Sequence, residues 1–401
     1  MRIVCVALAL GLLAACSAEP GDTAERSDDS FTLSLVETLG GLDTAGYARA
    51  VEVRDFVFPE DHGPHEDFRT EWWYVTGNLT ADDGREFGFQ FTIFRSALAP
   101  TAPGGPSAWA TNQAYMGHFA LTDIANGDFR ATELFARGGG GLAGATAEPF
   151  EVWLEDWTIE SLESEPASSV FPLRLAADGR GVDLDLVLEA GKPHVRQGVD
   201  GLSQKGAEPG NASYYYAHTR MPAAGRIVLD GDTIPVTGLT WLDREWSTSA
   251  LSGGQVGWDW FALQLDDGWE MMVYQLRRED GTADVLSDGV LIDPEGGRVP
   301  LEWGTEVQVE PTGSWESEVD GAVYPSGWRI RVPERGWDLT VEPAVLDQEL
   351  RVAFRYWEGS VRVRGAGEGG EPVSGRGYVE LTGYVGDGAA PPREQPLREP
   401  T

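Results

Sequence analysis

The segment from Gly63 to Phe94 constrains the fold more than any other. Gly63-Pro64-His65-Glu66-Asp67-Phe68-Arg69 leads into Thr70-Glu71-Trp72-Trp73-Tyr74-Val75-Thr76-Gly77-Asn78-Leu79, a run rich in aromatic and β-branched residues. Asp82-Asp83-Gly84 then supplies a turn, and Phe87-Gly88-Phe89-Gln90-Phe91-Thr92-Ile93-Phe94 a second strand. Side chains alternate across a strand, so Phe87, Phe89, Phe91 and Ile93 share one face. A hairpin with such a face must bury it, and a sheet curled around an apolar interior does so. The expectation is a β-barrel whose inside holds a hydrophobic molecule, against a wall formed by Glu71, Trp72, Trp73 and Tyr74 and the alternating Phe strand.

The same unit recurs. Trp258-Asp259-Trp260-Phe261-Ala262-Leu263-Gln264-Leu265 is followed by Asp266-Asp267-Gly268 and then by Trp269 to Leu276. Strand signals dominate from Val51 onward, and 51 Gly and 24 Pro leave little room for long helices. The reading is all-β, with two consecutive antiparallel barrels, over residues 51–230 and 231–388, and a disordered tail over 389–401.

Two further segments join the first. Gly117-His118-Phe119-Ala120-Leu121-Thr122-Asp123 and Thr240-Trp241-Leu242-Asp243-Arg244-Glu245-Trp246, with the Glu71 to Tyr74 run, resemble the carotenoid 1,2-hydratase (hydroxyneurosporene synthase) family. Bacterial secreted members of that family are also described as predicted secreted hydrolases or lipocalin-like proteins. The resemblance spans roughly residues 50–390 and implies that the two barrels are lipocalin-like. It also implies a role for Asp243, since an Asp in the matching place is thought to protonate an isoprenoid double bond. Two positions depart from the hydratase pattern. Trp241 stands where hydratases carry Tyr, and Tyr214-Tyr215-Tyr216 where they carry a His-x-Trp pair. The family association also allows an ABC-type permease as a partner.

The N-terminus points to export. Arg2, the apolar run Ile3 to Leu13 and Leu13-Ala14-Ala15-Cys16 form a lipoprotein signal over residues 1–15, with Cys16 as the lipidated first residue. Ser17 in second place favours the outer membrane or the periplasmic face. Residues 16–50 read as a polar tether. Once the leader is removed only Cys16 remains, so no intramolecular disulfide and no cysteine metal site can form. A formal charge of −35 argues against nucleic acid and against electrostatic docking on anionic lipid. The lipid, rather than charge, would hold the chain at the membrane.

Thr240 to Trp246 is the sharpest candidate site. On a strand, Trp241, Asp243 and Glu245 face one way and Leu242, Arg244 and Trp246 the other. Two carboxyls two residues apart on an aromatic face repel each other and resist ionisation, which suits a general acid. The competing reading is an ion pair that ties two elements together. His118, on a strand beside Phe119, reads as a core or ligand-contacting histidine. Tyr214-Tyr215-Tyr216, Trp246, Trp258 and Trp260 read as core or as pocket wall. His62 and His65 flank Gly63-Pro64, which denies them the fixed helical spacing of a metal site. Cofactor motifs are absent, and so is a Gly-x-Ser-x-Gly nucleophile elbow. The sequence thus reads as a cell-envelope lipoprotein that binds a hydrophobic, isoprenoid- or lipid-like molecule. The alternatives are an acid-catalysed hydratase or isomerase of a polyene, and a non-catalytic accessory protein of an exporter.

Overall fold

The computed structural model describes residues 44–163, 169–249 and 251–385. The leader, Cys16 and the tail over 389–401 lie outside the described residues. Within them every long element is a strand, and the strands form two large antiparallel sheets.

The first sheet begins with β1 (Thr70–Ala81), β2 (Glu86–Ala97), β3 (Gln113–Asp123) and β4 (Asp128–Arg137). Short strands follow: β5 (Ala143–Ala147), β6 (Phe150–Leu154), β7 (Trp157–Ser161), β8 (Leu173–Gly179) and β9 (Val182–Leu188). It ends with β10 (Val195–Arg196), β11 (Leu202–Gln204), β12 (Ala212–Leu229) and β13 (Asp232–Ser247). The sheet curls so that its first strand pairs with its last, Trp72 standing opposite Glu245 and Tyr74 opposite Asp243.

The second sheet opens with β14 (Gln255–Leu265), β15 (Glu270–Arg278), β16 (Asp288–Ile292), β17 (Arg298–Glu302) and β18 (Gln308–Pro311). A separate small hairpin, β19 (Ser314–Glu316) and β20 (Val323–Pro325), interrupts it. It resumes with β21 (Trp328–Val332), β22 (Trp337–Pro343), β23 (Glu349–Leu350), β24 (Tyr356–Ala366) and β25 (Pro372–Leu381). Here too the first strand, β14, pairs with the last, β25. These are the two lipocalin-like halves.

Both expected hairpins form around the expected turns. Trp72 pairs with Phe94 across the Asp82-Asp83-Gly84 turn, and Trp258 with Leu276 across Asp266-Asp267-Gly268. Gly84 and Gly268 take φ of 85° and 91°, which a turn residue without Cβ adopts at no steric cost.

The expected boundary at 230/231 is corrected. Asp230-Gly231 is the tight turn of the long β12–β13 hairpin, with φ of 52° and 95°, as a two-residue loop between twisted strands requires. The change of sheet falls between Ser247 and Gln255. The tether over 16–50 also ends earlier than expected. Tyr47 donates its hydroxyl to the Ala97 carbonyl at 2.8 Å, and Ala50 is fully buried.

The barrel interiors are packed solid around the alternating residues. Phe87, Phe89, Phe91 and Ile93 are 0 % exposed and share a core with Trp73, Val75, Phe119 and Trp157. The interior cavity expected against the Phe strand is therefore not there. The open space lies outside the first barrel, on the opposite face of the same strands.

Candidate functional site

On β1 the even-numbered residues point away from the barrel interior. Trp72 and Tyr74 meet Trp258, Trp260, Met272, Tyr274 and Tyr378 of the second barrel. The two barrels dock outer face to outer face, so both sides of these strands are buried. Gly88 permits part of this approach, because a Cβ there would stand 2.6 Å from the Ser360 Cβ. Polar ties flank the seam. Thr122 donates to Gln348 at 2.8 Å, and Lys192 pairs with the buried Glu270 at 2.8 Å.

A cleft of about 780 Å³, including its open mouth, runs along this seam. The first barrel contributes Trp72, Tyr74, Phe94, Tyr215, Asp243 and Glu245, and the second Trp258, Trp260, Tyr274, Leu276 and Glu380. It is an aromatic slot with a few polar groups, the usual form of a small-molecule site.

Asp243 is the central polar group. It is 4 % exposed, and it accepts the Trp241 indole N–H at 2.7 Å and the Tyr215 hydroxyl at 2.5 Å. Burial pushes its carboxyl up to about 8, against the pull of those hydrogen bonds and with a further push from the Glu245 charge. At neutral pH the group therefore carries a proton, the state a general acid needs. Trp260 donates its indole N–H to the Tyr215 oxygen at 3.3 Å, which extends the polar chain across the seam.

Glu245 is differently placed. It accepts the Ser213 hydroxyl and stands 3.4 Å from the Lys205 ammonium. Burial pulls Lys205 down, but Glu245, Tyr274 and Asp288 together outweigh it and favour the charged ammonium. The Lys205 head also sits 4.4 Å from the Tyr274 ring centroid, a cation–π contact. One strand thus presents two carboxyls in different surroundings, Asp243 among aromatics and Glu245 facing a cation.

Trp72, Tyr74, Trp258, Trp260, Asp243 and Glu245 of the sequence candidates meet in this cleft, with Trp241 directly behind Asp243. The others do not reach it. Trp73 points into the first barrel and donates its indole N–H to the His62 carbonyl at 2.9 Å. Glu71 lies fully buried between Arg95 and Arg244, with His65 donating to it. Burial raises Glu71, yet the two guanidinium groups hold it far below the usual carboxylate range. Tyr214, Tyr216 and Trp246 pack under the incoming segment that carries Ala50 and Phe56. His118 is 0 % exposed and bridges the barrels, with Tyr356 at 2.8 Å and Glu133 at 3.0 Å.

Lys205, Ser213, Tyr274 and Glu380 were not singled out in the sequence, and Tyr215 stands in the Tyr214-Tyr215-Tyr216 run that reads as core or pocket wall. Tyr215 had a local signal. Between Tyr214 and Tyr216 it must take the other face of β12, and the register sets it opposite Glu245. Glu380 had none, since a single acid near the end of a chain rich in acids carries no pattern.

The AttH-like family model matches residues 49–384, nearly all of the described chain. The chain belongs to the AttH-like family. This agrees with the carotenoid-hydratase resemblance read from the sequence. A crystal structure of a Nitrosomonas europaea protein described as an AttH is similar to this AttH-like chain, with 36 % identity and a TM-score of 0.72. It covers 84 % of this chain and 100 % of its own. Kievitone hydratase from Nectria haematococca shares the fold at 15 % identity with a TM-score of 0.63, covering 84 % of this chain and 97 % of its own. A search of curated proteins returns no match.

Proposed function

We propose that this AttH-like chain binds an apolar, unsaturated small molecule of isoprenoid or lipid type between its two barrels. Asp243 then acts on it as a general acid, leading to hydration or double-bond isomerisation. The observation that carries the reading is a buried carboxyl, held by Tyr215 and Trp241, at the wall of an aromatic cleft. Alkene protonation needs an acid that is neutral at the working pH yet shielded from water. Tyr215 and Trp241 hold that acid and offset the charge left on it after transfer. The hydratase among the structural neighbours is consistent with this chemistry. The leader read over residues 1–15 would hold the cleft at the cell envelope through Cys16. Cys16→Ala is then expected to release the protein from membranes or leave it unprocessed, and normal processing with unchanged membrane fractionation would refute the anchor.

The test uses squalene, farnesol and lycopene in detergent with D₂O, with deuterium gain read by mass spectrometry. Wild type is expected to label at least one of them, and Asp243→Asn to label none while still binding it, as read by tryptophan quenching. A labelled product from Asp243→Asn at the wild-type rate would defeat the assignment. If wild type binds without labelling, plain ligand binding is the function.

A further inference from the structure

A second pair of carboxyls faces the same cleft from the other barrel. Glu358 on β24 and Glu380 on β25 are direct cross-strand partners, so their side chains leave the sheet on one face. Like charges placed directly opposite each other on a sheet are unfavourable, and burial makes them more so. Glu380 lines the cleft and accepts the Trp258 indole N–H at 3.0 Å. Glu358 lies behind it, 1 % exposed. Its Oε1 accepts the Tyr74 hydroxyl at 2.5 Å, and the Tyr356 hydroxyl lies beside the same carboxyl.

Three phenols and two further carboxyls lie about the pair, with Lys205 lining the same cleft and His118 at 2.8 Å from the Tyr356 hydroxyl. Tyr74 comes from β1, Tyr356 from β24 and Tyr378 from β25, and burial, helped by the nearby carboxyls, holds these phenols protonated. Glu245 on β13 adds another negative charge near Glu380, and the Asp243 carboxyl of the same strand acts on Tyr74. Neither glutamate forms an ion pair among the described residues. Two facing carboxyls in such a site resist ionising together. Burial accordingly raises both, Glu380 to about 7 and Glu358 well above the ordinary range.

Resting on the reading of Asp243 as the acid, we propose that Glu380, sharing one proton with Glu358, is the base arm of the cleft and takes up a proton opposite Asp243. Asp243 gives its carboxyl proton to one alkene carbon, and the π pair becomes the new C–H bond. The neighbouring carbon is left cationic. Either a water oxygen bonds to it and that water's proton passes to Glu380, or an adjacent C–H bond supplies the pair for a new double bond and its proton passes to Glu380. The first path is hydration and the second isomerisation. In each, one proton leaves Asp243 and one arrives at the pair, and exchange with water at the cleft mouth restores both. Glu358 is a positioning residue that keeps the pair at one negative charge. Nothing in this role requires Glu358 to touch substrate.

The experiment has two arms. Protein labelled with ¹³C at glutamate carboxyls is titrated by NMR, with assignment from Glu358→Gln and Glu380→Gln. Wild type is expected to keep one carboxyl of the pair protonated at neutral pH. In Glu380→Gln the Glu358 transition should move to lower pH by about 1 unit or more, because the Glu380 charge is gone. If both glutamates ionise independently in the ordinary carboxylate range, the proposal is overturned. In the second arm, Glu380→Gln is assayed with the alkene that wild type labels in D₂O. Turnover is expected to fall by about 100-fold or more with tryptophan quenching unchanged. Wild-type turnover in Glu380→Gln overturns the base role. Wild-type turnover in Asp243→Asn sinks the acid assignment instead. A wild type that labels no alkene sinks the acid reading and the base role with it, while the titration still reads the shared proton.

Discussion

Tyr74 of the first barrel gives its hydroxyl to Glu358 of the second at 2.5 Å, joining positions 284 residues apart. The same ring lies edge-on to Trp260, with centroids 5.3 Å apart and planes at 85°. One side chain thus touches the cleft, the second barrel's aromatic wall and a buried carboxyl.

Tyr74→Phe keeps the ring and removes the hydrogen bond. Glu358 would then lose a buried hydrogen bond and keep only Tyr356 beside it, and losing such a partner costs about 1–3 kcal/mol. Urea denaturation is expected to show a loss of that size with an unchanged m-value. A variant as stable as wild type would mean that the seam relaxes around Glu358.

Asp243 makes stability fall as pH rises. Its folded value of about 8 lies above the ordinary value of 3.8, so between these the folded state holds a proton the unfolded chain has released. The contribution is unfavourable, grows through that window at about 1.4 kcal/mol per pH unit, and is constant above it. Asp243→Asn is expected to flatten the stability profile from about pH 4 to pH 8. An Asn variant with the wild-type slope would show that Asp243 ionises normally.

Glu71 works with the opposite sign. Its carboxyl is depressed from an ordinary 4.5, so the stability it contributes is fully present above that pH and is lost as pH falls toward the folded value. Glu71→Gln leaves Arg95 and Arg244 without their counter-charge, and breaking a buried pair costs about 3–5 kcal/mol. Thermal melts at neutral pH should show that loss, and it should shrink in acid. A pH-independent loss would point to packing instead of charge.

Trp72 and Trp73 are neighbours in sequence and strangers in the fold. Trp72 lines the cleft, and Trp73 is 1 % exposed inside the first barrel. Trp72→Ala is expected to weaken the fluorescence response to an isoprenoid ligand with modest effect on stability. Trp73→Ala should cost about 3–5 kcal/mol as a core truncation. The reverse pattern would place the ligand inside the barrel.

Period and turn chemistry were legible in the residues. The Trp72–Phe94 and Trp258–Leu276 pairings follow from alternating strands around Asp-Asp-Gly, and the shared face of Trp241, Asp243 and Glu245 from period two alone. Those rules are local, since a strand's side chains alternate whatever surrounds it. Which face is covered, and by what, was not local. β1 carries large aromatics on both faces, so alternation separates Trp72 from Trp73 without saying which of them meets open space. Asp230-Gly231 reads equally as a linker or as a hairpin turn until β12 and β13 pair. Glu358 and Glu380 become neighbours only through the register of β24 and β25. The sequence by itself determined strands, turns and which residues share a face. Only the docking of one barrel on the other decided that the site lies between them, because burial depends on segments far apart in the chain, and burial is what keeps Asp243 protonated.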